Sequence, residues 1–368
     1  MPRRLLSGYR AVALLALNSG LLFVLANVAA AGWLALRGER TQPAGPDLEL
    51  LAETWNRPYQ YEPFTQFRES PFSGRFVNVD ARGFRRSQPQ PPWPPLASNS
   101  NIFVFGGSTT FGYGLADGDT IPSQLGTLLA DVRCEQPVAV YNLGRSNYYS
   151  TQERVLFNQL LGADTVPSVA LFIDGLNEFQ HTDDQPKLTV RLERLMAETA
   201  GQLTRRALKE LPLVRLARRL RPPAPDPIGG DADDATARAV AEGAVARWLA
   251  NRRLISAAAE EYGVTALFVW QPTPAYDYDL AQHPSAGALA GEPPPFAERT
   301  RAGYEHLRRK LGDGAPDVVW LATMQHGRAE QLYVDRVHYN AGFSREIATV
   351  LATQLSALPR LGCPPEAS

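Results

Sequence analysis

Near its C-terminus the chain reads Asp335-Arg336-Val337-His338. On a turn, that three-residue spacing lets the Asp335 carboxylate meet the His338 Nδ1–H and leaves Nε2 free to take a proton from a hydroxyl. A hydroxyl in a suitable setting is Ser108, in Phe105-Gly106-Gly107-Ser108-Thr109-Thr110 at the end of an apolar run. Two glycines there permit a sharp turn that leaves the serine and its own N–H at the end of a strand. Two further apolar runs end in Tyr141-Asn142-Leu143-Gly144 and Asp174-Gly175-Leu176-Asn177-Glu178. Gly144 offers a backbone N–H and Asn177 a carboxamide, the groups that stabilise an oxyanion. Acyl transfer through an activated serine is the chemistry these residue types could perform.

Other motif readings are weaker. A phosphate-cradling loop needs G-K-[ST], which the Ser108 segment lacks, and Gly112-Tyr113-Gly114 is followed by Asp117 where a dinucleotide fingerprint wants its third glycine. A nucleophile elbow would place glycine, not Thr110, two residues after the serine. His181, His283, His306 and His326 have no setting comparable to that of His338. Taken singly, each glycine turn is ordinary turn chemistry.

The elements that must position these residues follow from the apolar pattern. Asn101–Phe105, Val138–Asn142, Ser168–Asp174, Thr265–Gln271 and Val318–Ala322 are short, unbroken and rich in β-branched or aromatic residues. Unbroken apolar runs of that length predict strands covered on both faces, as in a parallel sheet. Helices are predicted between them at 121–132, 151–161, 236–262, 297–311 and 344–355. The alternation predicts a three-layer α/β/α doubly wound domain over 101–357, with a mostly parallel five-stranded sheet and ligands at its carboxyl edge. Insertions are expected at about 179–234 and 272–295. The first reads as two Arg-rich helices broken at Pro212 and then a loop over 222–234. Its Arg215, Arg218, Arg219 and Arg221 could face anionic lipid or glycan, or water. The Pro- and aromatic-rich segment 37–100 reads as a stalk and lead-in, with one short strand at Arg75–Val79, and 358–368 as a C-terminal tail.

Composition narrows the setting. The 368 residues carry 37 basic and 38 acidic side chains for a net charge of -1, so no basic field favours nucleic acid. Residues 1–10 hold Arg3, Arg4 and Arg10 and no acid, and 11–36 carry no charge. As a helix that stretch spans about 39 Å, enough to cross a ~30 Å hydrocarbon layer. It exceeds the ~7–15 apolar residues of a signal peptide, although Ala29-Ala30-Ala31 would suit a cleavage site. The reading is a single-pass bacterial inner-membrane anchor with a cytoplasmic N-terminus and the main domain in the periplasm. Cys134 and Cys363 lack metal-ligand spacing and could form a disulfide there.

Four segments in this order resemble the SGNH (GDSL-type) hydrolase superfamily. The resemblance covers roughly Asn101 to Ala357 and implies a flavodoxin-like sheet. It implies Ser108 as nucleophile, His338 as base and Asp335 as its partner. An oxyanion hole of the Ser108 amide, Gly144 and Asn177 is implied as well. Gly-Gly-Ser-Thr stands where the family reads Gly-Asp-Ser-Leu, and Glu178 stands where Asp usually follows the asparagine; neither change removes an atom the chemistry needs. The expectation is a membrane-anchored serine esterase acting on an ester-containing small molecule or glycan, O-acetyl groups or lipid esters included, without metal or organic cofactor. Two alternatives share the fold: an O-acyltransferase for a cell-surface polysaccharide, and a noncatalytic envelope-binding module.

Overall fold

All five apolar runs form strands in a computed structural model of the chain. It describes residues 2–38, 46–55, 57–132, 134–181, 183–197, 211–219, 234–280, 296–312 and 315–363. Helices α1 (Pro2–Gly38) and α2 (Pro46–Trp55) come first. Two short antiparallel ribbons follow, β1 (Tyr59–Glu62) with β2 (Gln66–Glu69) and β3 (Phe72–Ser73) with β4 (Asn78–Val79). Then come β5 (Ser100–Gly106), α3 (Ser108–Phe111), α4 (Ile121–Ala130), β6 (Val138–Asn142), α5 (Ser150–Gly162) and β7 (Val169–Asp174). A 3-10 turn, Leu176–Phe179, leads to α6 (Thr189–Ala197), α7 (Pro212–Arg219), α8 (Asp234–Glu261) and β8 (Thr265–Trp270). The last elements are α9 (Ala297–Leu311), β9 (Val318–Trp320) and α10 (Ala341–Ser356).

The main sheet has the order β6-β5-β7-β8-β9 with every pair parallel. This is the flavodoxin-like order, in which the chain leaves β5 in opposite directions for β6 and β7 and opens a crevice at their carboxyl ends. Apolar runs were required because both faces are covered, and the two faces differ in kind. Phe103, Phe105, Phe172, Phe268 and Trp270 join a core with Phe157 and Trp248. Ile102, Val104, Leu171, Ile173, Leu267 and Val269 join one with Leu125, Phe343 and Ile347. Period-two alternation thus sorts aromatics toward α5, α8 and α9 and aliphatics toward α4 and α10. Phe105, Phe172 and Phe268 stack across three strands with centroids 4.8 and 5.4 Å apart. Each such ring contributes about 1.5–3 kcal/mol on burial.

The chain divides into two units, Met1–Leu48 with Val190–Pro227 and Glu49–Thr189 with Ile228–Ser368. The second holds the sheet. Residues 49–100, read as stalk and lead-in, fold as part of that unit. The expected strand at Arg75–Val79 is reduced to β4, and Arg85 bridges it to Asn142 at the β6 edge. Arg85 is fully buried, paired to Asp117 at 3.0 Å and donating to the carbonyls of Phe111, Gly112 and Leu115. Polar pairing of this kind has no apolar periodicity, which is why the segment looked unstructured.

In the first unit, α1 contains one span apolar enough to cross a membrane, Val12–Trp33. Pro212, expected as a break between two helices, is the first residue of α7, where its missing N–H costs nothing, and residues 198–210 before it lie outside the described residues. The side chains of Arg215, Arg218 and Arg219, all of Arg221, residues 222–233 of the loop expected over 222–234, and residues 281–295 of the insertion expected over 272–295 lie outside the described residues. Cys134 and Cys363 are joined in a disulfide.

Candidate active site

Ser108 sits where β5 turns into α3, at the carboxyl edge beside the β5–β7 crevice. Gly106 has φ +155°, and a Cβ there would meet Thr110 Oγ1 at 2.1 Å. At Gly107 a Cβ would meet Asn177 Nδ2 at 2.3 Å. Both glycines are therefore required, one by conformation and one by the close approach of Asn177. That approach sets the carboxamide against the backbone just before the serine.

His338 lies on the turn before α10. Its Nε2 is 2.8 Å from Ser108 Oγ and its Nδ1 is 2.7 Å from Asp335 Oδ2. The other Asp335 oxygen accepts the backbone N–H groups of Val337 and His338 at 2.9 and 2.8 Å. Burial opposes ionisation of Asp335. The hydrogen bond and charge of His338, together with those two amides, outweigh it and hold the carboxyl below its ordinary pKa. A carboxylate accepting at Nδ1 fixes the tautomer that leaves Nε2 facing the serine hydroxyl.

The imidazole is only 4% exposed. Tyr113 stacks on it at 5.3 Å and Trp55 meets it edge-on at 5.4 Å. Trp55 comes from α2, and no signal in the sequence tied it to the site. Tyr113 is the central residue of Gly112-Tyr113-Gly114, whose glycines take φ +91° and +78°; they serve the turn that delivers the ring rather than a nucleotide. Behind Tyr113, Arg57 lies over the Phe111 ring at 4.4 Å and pairs with the buried Glu69 at 3.5 Å. Glu69 also accepts the Ser146 N–H. Burial pushes the Glu69 carboxyl up in pKa, against the pull of Arg57.

The expected oxyanion donors fare differently. Asn177 Nδ2 donates to the Tyr148 carbonyl at 2.7 Å, which leaves its second N–H available beside Ser108. Gly144 does not present a free amide: its N–H donates to Asn142 Oδ1 at 3.0 Å. A Cβ at Gly144 would meet the Phe111 nitrogen at 2.4 Å, so the glycine is there to let the backbone pass under α3. Asn147 stands at φ +57° immediately before Tyr148, whose carbonyl accepts from Asn177. Its backbone N–H makes none of the hydrogen bonds among the described residues. Asparagine, like glycine, tolerates this left-handed conformation.

Glu178 explains its own departure from the expected aspartate. Its carboxylate reaches Ser150, accepting the N–H at 2.6 Å and the hydroxyl at 3.0 Å. Arg247 holds the Glu178 carbonyl at 2.6 Å. The turn carrying Asn147 and the turn carrying Asn177 are thereby joined behind the site. His181 is buried against Tyr149, and burial lowers its pKa to about 4. His326 pairs with Asp277 at 2.7 Å on the surface.

No family model matches the chain, and no curated protein matches it. Among solved structures it is similar to a member of the lipolytic protein G-D-S-L family from Veillonella parvula, with 12% identity, 70% of this chain and 99% of the other covered, and a TM-score of 0.38. It is similar to a lipase/acylhydrolase from Enterococcus faecalis at 11% identity, 73% and 99% coverage and TM-score 0.37. A carbohydrate acetylesterase family member from Sinorhizobium meliloti matches at 17% identity, 72% and 99% coverage and TM-score 0.34.

Proposed function

We propose that this chain is a serine hydrolase of the SGNH type that cleaves a carboxylic ester outside the cytoplasm, held to the membrane by α1. The observation that carries the reading is the unbroken relay from Asp335 through His338 to Ser108, with contacts of 2.7 and 2.8 Å. His338 Nε2 takes the hydroxyl proton as Ser108 Oγ attacks the ester carbonyl carbon. Asp335, already ionised, stabilises the imidazolium that forms. Charge developing on the carbonyl oxygen is met by the Ser108 N–H, the free N–H of Asn177 Nδ2 and the Asn147 amide. The imidazolium then protonates the departing alkoxide, and a water activated by His338 releases the acid from the acyl-enzyme.

Location rests on two features. Arg3, Arg4 and Arg10 precede the apolar span, which favours a cytoplasmic N-terminus. The Cys134–Cys363 disulfide suits an oxidising compartment.

A fluorophosphonate probe tests the reading. Full-length protein in detergent should be labelled and Ser108→Ala should not, and the labelled protein should lose esterase activity on short acyl esters. Unlabelled, folded wild-type protein would overturn the assignment. Adding an oligosaccharide acceptor to the same assay separates hydrolysis from acyl transfer by whether the acyl group appears on sugar.

A further inference from the structure

Among the polar residues of the apolar span, Asn18, Ser19 and Asn27, Asn27 bonds to another helix. Asn27 lies six residues before Trp33, the end of the apolar span, or about 9 Å along a helix axis. Its Oδ1 accepts the backbone N–H of Leu213, in the first turn of α7, at 3.2 Å, while its Nδ2 donates back to the Phe23 carbonyl at 2.9 Å. The described side chains of the span are exposed except for one stripe, Ala26 and Asn27 half-buried and Ala30 buried. That stripe lies where α7 packs on α1.

A helix start in hydrocarbon is costly because its first N–H groups find no water. Here the first helical residue is Pro212, which has no N–H, and the next N–H is the one Asn27 takes. An asparagine buried in lipid carries the mirror-image cost, and the same bond offsets both. The order of residues along α7 is also polar. Leu213, Val214 and Leu216 come early with Arg215 among them, and Arg218 and Arg219 stand at the end, followed by Pro222 and Pro223.

We propose that α7 is a second membrane contact. It starts in the acyl chains beside Asn27 and runs toward the Trp33 end of the span, so that residues 218 and 219 reach the level of the lipid phosphates. Of the two directions along the span, this one carries residues 215, 218 and 219 toward the headgroups and leaves only the arginine nearest the helix start to snorkel. The partner is the phospholipid leaflet in which the Trp33 end of α1 sits, and the proposal rests on reading α1 as a membrane span. The excursion between β7 and β8 is then a return of the chain to the bilayer.

Full-length protein is reconstituted into vesicles of equal parts phosphatidylcholine and phosphatidylglycerol. A single NBD label is placed on Val214→Cys, on Val24→Cys within α1, or on Leu254→Cys, an exposed position of α8; the native cysteines are already paired. The label at 214 should show blue-shifted emission and quenching by doxyl lipids, as at 24 and unlike 254. Adding Asn27→Leu to Val214→Cys should remove most of that quenching, and undiminished quenching would overturn Asn27 as the tie. Aqueous emission at 214 with quenching at 24 overturns the second contact while leaving the anchor standing. Aqueous emission at both positions overturns the anchor and the proposal together.

Discussion

Ser108, Asn177 and His338 converge because each ends a turn at one sheet edge, but what each contributes depends on single hydrogen bonds. Removing one oxyanion donor typically costs about 2.7–4 kcal/mol, or 10²–10³ in kcat. Asn177→Ala should therefore lower kcat by about that factor with KM little changed; a loss under about tenfold would count against the donor role. Gly144 and Asn147 separate by a paired test. Asn147→Gly keeps both the amide and the positive φ, so kcat should stay near wild type. Gly144→Ala forces a Cβ into the α3 backbone at Phe111, so thermal stability should fall sharply. A folded, stable and inactive Gly144→Ala protein would restore Gly144 to the oxyanion hole.

At the scale of elements, the carboxyl end of β7 and the first turn of α5 enclose three fully buried carboxyl groups, Glu153, Asp174 and Glu178. Trp248 Nε1 donates to Asp174 at 2.8 Å, and Arg247 stands 4.0 Å from Glu178. Among the described residues no donor reaches either Glu153 oxygen or one of Asp174, so a proton held between these two satisfies what would otherwise be bare charge. Burial first, then mutual repulsion, raises the pKa of each. Because the folded pKa values lie above the unfolded ones, the folded state binds more protons. The stability from this cluster is complete below the ordinary carboxylate range and is lost as pH rises through the folded values. Glu153→Gln removes the need for that proton. Its melting temperature should decline less than wild type between pH 6 and 9 in a fluorimetric scan, and parallel slopes would refute the shared proton.

Over the whole molecule, the disulfide closes a chain separation of 229 residues. Cys134 follows α4 and Cys363 follows α10, and those helices pack together on the aliphatic face of the sheet. Native disulfides commonly contribute roughly 2–5 kcal/mol. The Cys134→Ser/Cys363→Ser protein should melt at a lower temperature by that measure. It should keep its kcat at 25 °C, since His338 enters α10 from the opposite end. A reduced kcat with an unchanged melting temperature would show that the bond shapes the active site instead.

The parallel sheet, its five strands and its flanking helices were legible in the residues because continuous apolar runs arise only where both faces of a strand are buried. Ser108, Asp335, His338 and Asn177 stood out as candidates because the proposed chemistry demands particular residue types at strand ends. Residues 49–100 were not, since Glu53, Glu69 and Arg85 hold that segment through polar bonds to distant backbone, and such bonds leave no periodicity. Trp55 over His338, the Gly144 N–H taken by Asn142 and Asn27 against Leu213 were equally out of reach. Each depends on which backbone N–H is already occupied or which ring lies nearby, and those are properties of the packed chain that only tertiary structure decides.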